Sequence, residues 1–154
     1  MRSLDWGTFL GCGRTGMQVK DLMSKDLFVL YADDNILLAE EMMQWKRIRH
    51  VPVVDRHYNL QGLVTHRDIL RASISTLAQF PRHETHAMHA HVLLQDVMQT
   101  QVFTISPDAD IKEAAGVMWR EKIGCLLVAE YGQLVGILTE ADFLKYVLQH
   151  EAVD

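Results

Sequence analysis

Two short phrases hold the residues with the most chemistry to offer. They are Gly62-Leu63-Val64-Thr65-His66-Arg67-Asp68 and Gly136-Ile137-Leu138-Thr139-Glu140-Ala141-Asp142. Each sets a hydroxyl at the end of an apolar, β-prone run and a carboxylate three residues on, where a helix would begin. That spacing permits two chemistries. In a capping box, the Thr hydroxyl takes a helix amide and the acidic side chain reaches back to the Thr amide. Such a cap stabilises a helix start by about 1 kcal/mol and needs no ligand. In a ligand cradle, the helix N-terminus attracts a phosphate and the Thr hydroxyl donates beside it. The Asp then accepts from a ribose diol, and the glycine lets a base or sugar approach the backbone. The residues alone leave both readings open.

The elements that must position these corners repeat as well. At an offset of 75, Asp21 meets Asp96, Met23 meets Met98, Phe28 meets Phe103, Asp33 meets Asp108, Ala39 meets Ala114 and Met43 meets Met118. One residue drops out near Tyr131-Gly132, after which Gly62, Thr65 and Asp68 meet Gly136, Thr139 and Asp142. This is an internal duplication. In the first copy, residues 27–31 and 50–54 read as strands, 35–47 as an amphipathic helix, 60–64 as a return strand and 65–77 as a second helix. Pro52 suggests an edge strand, or a place that needs no ladder donor. The second copy predicts strands at 102–105, 125–129 and 133–138, with helices after Asp110 and Thr139. The order is β-α-β-β-α twice. Each copy is only about 50 residues, too small to bury an adequate core alone, so the two must pack together.

With 154 residues and a net charge of −5, the chain is one ordinary domain without a general basic footprint for nucleic acid. Cys12 and Cys125 make neither a disulfide framework nor a metal motif, and a reducing, cytoplasmic setting is the default. No apolar run approaches the roughly 20 residues that span a bilayer, and no secretory leader opens the sequence. We expect 1–16 to be a mobile extension, with Trp6, Phe9 and Leu10 as docking candidates; 17–77 to be the first repeat; 78–92 a His-rich connector; and 93–149 the second repeat. His83, His86, His89 and His91 in the connector are candidate zinc or nickel ligands. They lack the tight spacing of a catalytic metal motif, and a solvated connector explains them as well.

VPVVD (51–55) followed by GLVTHRD (62–68), and LLVAE (126–130) followed by GILTEAD (136–142), resemble a tandem cystathionine-β-synthase (CBS) domain pair, or Bateman module. DLM (21–23) and DVM (96–98) fit the family's repeat openings. The resemblance covers about residues 17–149. It implies an α+β (mixed α/β) fold, two pseudo-symmetric repeats forming one module that binds an adenine nucleotide (AMP, ADP or ATP, with Mg²⁺ as an option) between them. It implies Thr65, Asp68, Thr139 and Asp142 as the nucleotide-binding residues, and a flat homodimer that signals to an effector protein. By position, His66, Arg67, His50, Val51, Val29 and Thr104 join the expected site. Arg49, His50, His66 and Arg67 should make the first corner the better anion site, since Gly124, Cys125, Glu140 and Ala141 replace them at the second. No catalytic constellation is present, so we expect a ligand-sensing module with no required cofactor. The alternatives are a ligand-free dimerisation scaffold and a metal-responsive protein.

Overall fold

The computed structural model describes residues 16–77 and 87–150. The first half holds α1 (Val19–Leu22), β1 (Leu30–Tyr31), α2 (Ile36–Lys46), β2 (His50–Val54), β3 (Leu60–Thr65) and α3 (His66–Leu77). A short 3-10 turn (Leu94–Asp96) follows. The second half holds β4 (Thr104–Ile105), α4 (Ile111–Glu121), β5 (Cys125–Glu130), β6 (Gln133–Thr139) and α5 (Glu140–His150). The first sheet runs β1-β2-β3 and the second β4-β5-β6, each with one parallel and one antiparallel pairing. This is a mixed α+β architecture of two matching three-stranded sheets.

Local chemistry explains the boundaries. Asn35 caps α2 by accepting from the Leu38 amide at 2.9 Å, and Asp110 caps α4 by accepting from Lys112 at 2.7 Å. Both helices end on a left-handed residue, Arg47 (φ 54°) and Lys122 (φ 56°). Neither is glycine, so each holds a long cationic side chain at a sharp corner. Pro52 lies on a central strand, which rules out the edge but fits the other option, a place that needs no ladder donor. It is tolerated because β1 pairs with β2 only from Val53 onward.

Strand alternation sorts the core into three layers. Val51, Val53 and Val64 face Ile36, Ala39 and Met43 of α2. Leu126, Val128 and Leu138 face Ile111, Ala114 and Met118 of α4. Between the two sheets, Val54 and Leu63 meet Cys125, Leu127 and Leu134. Burial there drives the Cys125 thiol pKa up to about 12, so it is an inert thiol that packs as a small apolar group.

The opening segments are exchanged between the halves. Val19 starts the first repeat in sequence but is buried in the core of the second half. Its segment is tied there by Val19 N–H to Ala109 O (2.9 Å) and by reciprocal bonds between Ser24 and Ile137 (2.9 and 3.1 Å). Leu94 is buried in the first half, where Gln99 and Leu63 exchange bonds of 2.8 and 2.9 Å. Each half is therefore incomplete without a segment that precedes the other.

Candidate functional site

The first Thr-x-x-Asp corner folds as a complete capping box, and the second shares its Thr-to-Asp half. Thr65 donates to Asp68 Oδ2 from its amide (2.8 Å) and its hydroxyl (2.7 Å), and the Asp68 amide donates back to Thr65 Oγ1 (3.3 Å). Thr139 does the same to Asp142 Oδ2 at 2.7 and 2.9 Å. In the structure the Thr65 hydroxyl proton is therefore given to Asp68. The first helix amides are also partly taken: His66 N–H donates to Arg49 O (2.9 Å) and Glu140 N–H to Gly124 O (3.2 Å).

The glycines answer to packing as well. A Cβ on Gly62 would come within 2.7 Å of the Gln99 carbonyl and 2.9 Å of the Met98 sulfur, and one on Gly136 would overlap the Met23 thioether. The bareness of these strand positions admits the exchanged segments, where the sequence suggested room for a ligand.

Each corner nevertheless opens onto a cleft. Thr65, His66, Arg67 and Asp68 line one of about 580 Å³, together with Arg49, His50, Arg71, Gln99, Phe103, Lys122 and Glu140. Thr139, Glu140, Ala141 and Asp142 line another of about 630 Å³, with Ser24, Lys25, Asp26, Phe28, Arg47, Arg49 and His50. Both volumes suit a small-molecule ligand. Both clefts draw on both halves: the carboxylate corner of one faces the phenylalanine and helix-end cation of the other.

Charge separates them. The first cleft carries four cationic side chains (Arg49, Arg67, Arg71, Lys122) against two carboxylates, Asp68 and Glu140. The second carries three (Lys25, Arg47, Arg49) against three, Asp26, Glu140 and Asp142. The expected charge asymmetry is present, and only part of its expected cause holds: His66 and Arg67 line the first cleft alone and Ala141 the second alone. Arg49, His50 and Glu140 line both clefts, so they cannot distinguish them. Arg67 and Arg71 do, whereas the helix-end cations Lys122 and Arg47 balance each other. His50 has its pKa lowered, chiefly by burial and then by Arg49, so its ring is neutral at pH 7.

Three expected residues fall outside both clefts. Val51 is fully buried against α2, because strand parity turns it toward the helix layer. Val29 packs into the layer between the sheets. Thr104 is exposed on β4 without lining either cleft. Of the connector histidines, His83 and His86 lie outside the described residues, as do Trp6, Phe9 and Leu10. His91 is exposed. His89 is buried, with Nδ1 3.1 Å from Glu40 Oε2 and Nε2 3.1 Å from Ser73 Oγ. It ties the connector to α2 and α3 and is not placed to ligate a metal. Among the described residues no group of three or more His, Cys, Asp or Glu could hold a metal ion, and no helix is long and apolar enough to cross a membrane.

With this geometry in view, comparison with known proteins is decisive for the family. The CBS domain model matches residues 19–75 and 94–149. The chain belongs to the CBS domain family. A CBS domain-containing protein of Dictyostelium discoideum is 31% identical over 133 residues, covering 85% of this chain and 91% of that protein. The structure of a Vibrio cholerae protein described as an acetoin utilization protein matches with a TM-score of 0.76 at 34% identity, over 87% of this chain and 92% of that one. The CBS domain pair of protein MJ0100, in complex with 5′-methylthioadenosine and S-adenosyl-L-methionine, matches with a TM-score of 0.72 at 26% identity, over 88% and 99%. Two further relatives are longer, and the chain spans 41% and 47% of their lengths.

Within this CBS pair, Phe28 and Phe103 lie in the stretches 27–30 and 102–105 that the resemblance placed along the cleft, whereas the sequence reading missed Gln99 and Lys122 in the first cleft and their counterparts Ser24 and Arg47 in the second. The signal was available. Both pairs sit at the repeat offset of 75, but a polar Ser or Gln beside a strand reads as surface, and a helix-ending Arg or Lys reads as a solvated cap.

Proposed function

We propose that this CBS pair is a regulatory module that binds an adenine nucleotide of the AMP, ADP or ATP class in the Thr65/Asp68 cleft. One observation carries the reading: a buried carboxylate, an exposed phenylalanine and four cationic side chains converge on a single cleft built from both halves. Asp68 accepts from ribose hydroxyls, a strong charge-assisted interaction. Phe103 and Val102 offer the base an apolar wall. Arg49, Arg67 and Lys122 neutralise phosphate, with Mg²⁺ carried on the longer phosphate chains. The adenosine-derived ligands bound by the MJ0100 CBS pair support the adenosine part of this reading. The module performs no catalysis of its own. Because each cleft draws on both halves, bound ligand bridges them and biases their packing, which is a coupling free energy available to a partner protein.

The second copy of the chain is the first such partner. Leu70 and Ile74 of α3 and Leu144 and Leu148 of α5 are exposed, from 48% to 78%. Covering these helix faces in a homodimer removes them from water. Analytical ultracentrifugation tests this: a dimer is expected, and a monomer at high micromolar concentration overturns it.

A thermal-shift series with AMP, ADP, ATP and S-adenosylmethionine, on wild type and Asp68→Ala, tests the sensor. Ligand at 100 times its dissociation constant adds about 2.7 kcal/mol, a rise of several degrees for a chain of this size. A rise that Asp68→Ala removes supports the reading. A wild type unmoved by every nucleotide leaves a ligand-free scaffold.

A further inference from the structure

We propose that the Gln99 side chain is an internal stand-in for the ligand's ribose diol, and that it sets how strongly the first cleft distinguishes ribose from dideoxyribose. The proposal rests on the sensor reading above. Asp68 is 6% exposed, and a buried carboxylate must be supplied with donors. Thr65 supplies both of its bonds to Oδ2. On Oδ1 the Gln99 amide donates at 3.2 Å, and Arg71 stands at 4.0 Å. Gln99 Nε2 is equally 3.2 Å from Oδ2, so one amide is shared between two oxygens. Charge-assisted N–H···O bonds are normally about 2.7–2.9 Å, so this donor is held loosely.

The Gln99 backbone is pinned in both directions to Leu63, which leaves the side chain free to swing without moving the main chain. It lines the cleft it would vacate. The second corner repeats the arrangement in miniature. Ser24, at the matching position, is pinned to Ile137 and donates from Oγ to Asp142 Oδ1 at 3.0 Å. A hydroxyl already sits there, where a ribose hydroxyl would donate. In both repeats, therefore, the exchanged segment delivers one polar side chain to the outer oxygen of the Asp. A diol entering the first cleft replaces the Gln99 amide donor for donor and must displace it. A dideoxyribose leaves Asp68 to Gln99.

Isothermal titration calorimetry of wild type and Gln99→Ala with AMP and ATP, each beside its 2′,3′-dideoxy counterpart, tests this. Gln99→Ala should tighten the ribonucleotide roughly two- to tenfold, the range spanned by one net hydrogen bond, and leave the dideoxynucleotide unchanged. Gln99→Ser, which copies the second corner, should fall between and guards against a folding defect. Equal changes for both sugars, or weaker ribonucleotide binding in a folded variant, would mean that Gln99 only props Asp68, and would overturn the proposal while the sensor reading stands. If no protein binds any nucleotide, the sensor reading falls and this proposal falls with it.

Discussion

The two Thr-x-x-Asp corners share their Thr-to-Asp bonds and are unlike in their surroundings. Thr65 and Thr139 each give an amide and a hydroxyl to the Asp three residues on, all between 2.7 and 2.9 Å. Around them, Gln99 stands where the other corner has Ser24, and Arg67 where it has Ala141. Asp68 is buried, whereas Asp142 is half-buried. The shared Thr-to-Asp half of the box is what starts a helix off a strand. What distinguishes the two clefts lies in the side chains around the box: Arg67 and Arg71 on the helix that the first box starts, and Gln99 against Ser24 from the exchanged segments.

The largest expected contrast is in stability. Gly62→Ala drives a methyl against the Gln99 backbone carbonyl, which hydrogen bonds fix in place, whereas Gly136→Ala meets only the flexible Met23 side chain. Overpacking costs about 1–3 kcal/mol. Urea denaturation should put Gly62→Ala near about 3 kcal/mol and Gly136→Ala near about 1. Equal costs would mean that the exchanged segments are not held as described.

Next comes ligand binding. Asp68→Ala should weaken AMP or ATP by more than about tenfold, as loss of a hydrogen bond to a charged group implies. Asp142→Ala should change it by less than about twofold. Titration calorimetry decides between them, and the reverse ranking would move the main site to the second cleft.

A smaller effect separates the helix-end cations. Lys122→Ala should weaken AMP by roughly two- to fivefold, an effect that fades with added salt as exposed charges are screened. Arg47→Ala, its counterpart in the charge-balanced cleft, should leave AMP binding unchanged. A salt series of fluorescence titrations measures both.

The smallest contrast concerns His50, whose counterpart in the second repeat is Cys125. Burial and Arg49 hold its folded pKa below the usual 6.5. The unfolded chain therefore takes up the proton first as pH falls. The stability His50 contributes is complete above pH 6.5 and is lost as pH drops toward the folded value. Thermal melts should lose stability over that window in wild type, and His50→Gln should flatten the loss. An identical pH profile for both proteins would remove His50 from the account.

The duplication, the β-α-β-β-α order and the two caps were legible in the sequence, because strand alternation, helix period and Thr-x-x-Asp spacing act over a dozen residues or so. Asn35 and Asp110 could be read as helix starts for that reason. The site was half legible. Thr65, Asp68, His66, Arg67 and His50 do line one cleft, but Val51 does not. An apolar strand buried on both faces carries no alternation from which to read parity, and a shift of one residue sends a side chain to the other layer.

By itself, then, the sequence determined two copies of a strand-to-helix corner and the elements that carry them, all products of local spacing. Only the tertiary structure decided that residues 17–24 and 92–99 change places, that Gly62 makes room for Met98 and Gln99, and that Lys122 completes a cleft begun by Thr65 and Asp68. These contacts join residues dozens of positions apart. They come from burying two incomplete cores against each other, and no window along the chain contains both partners.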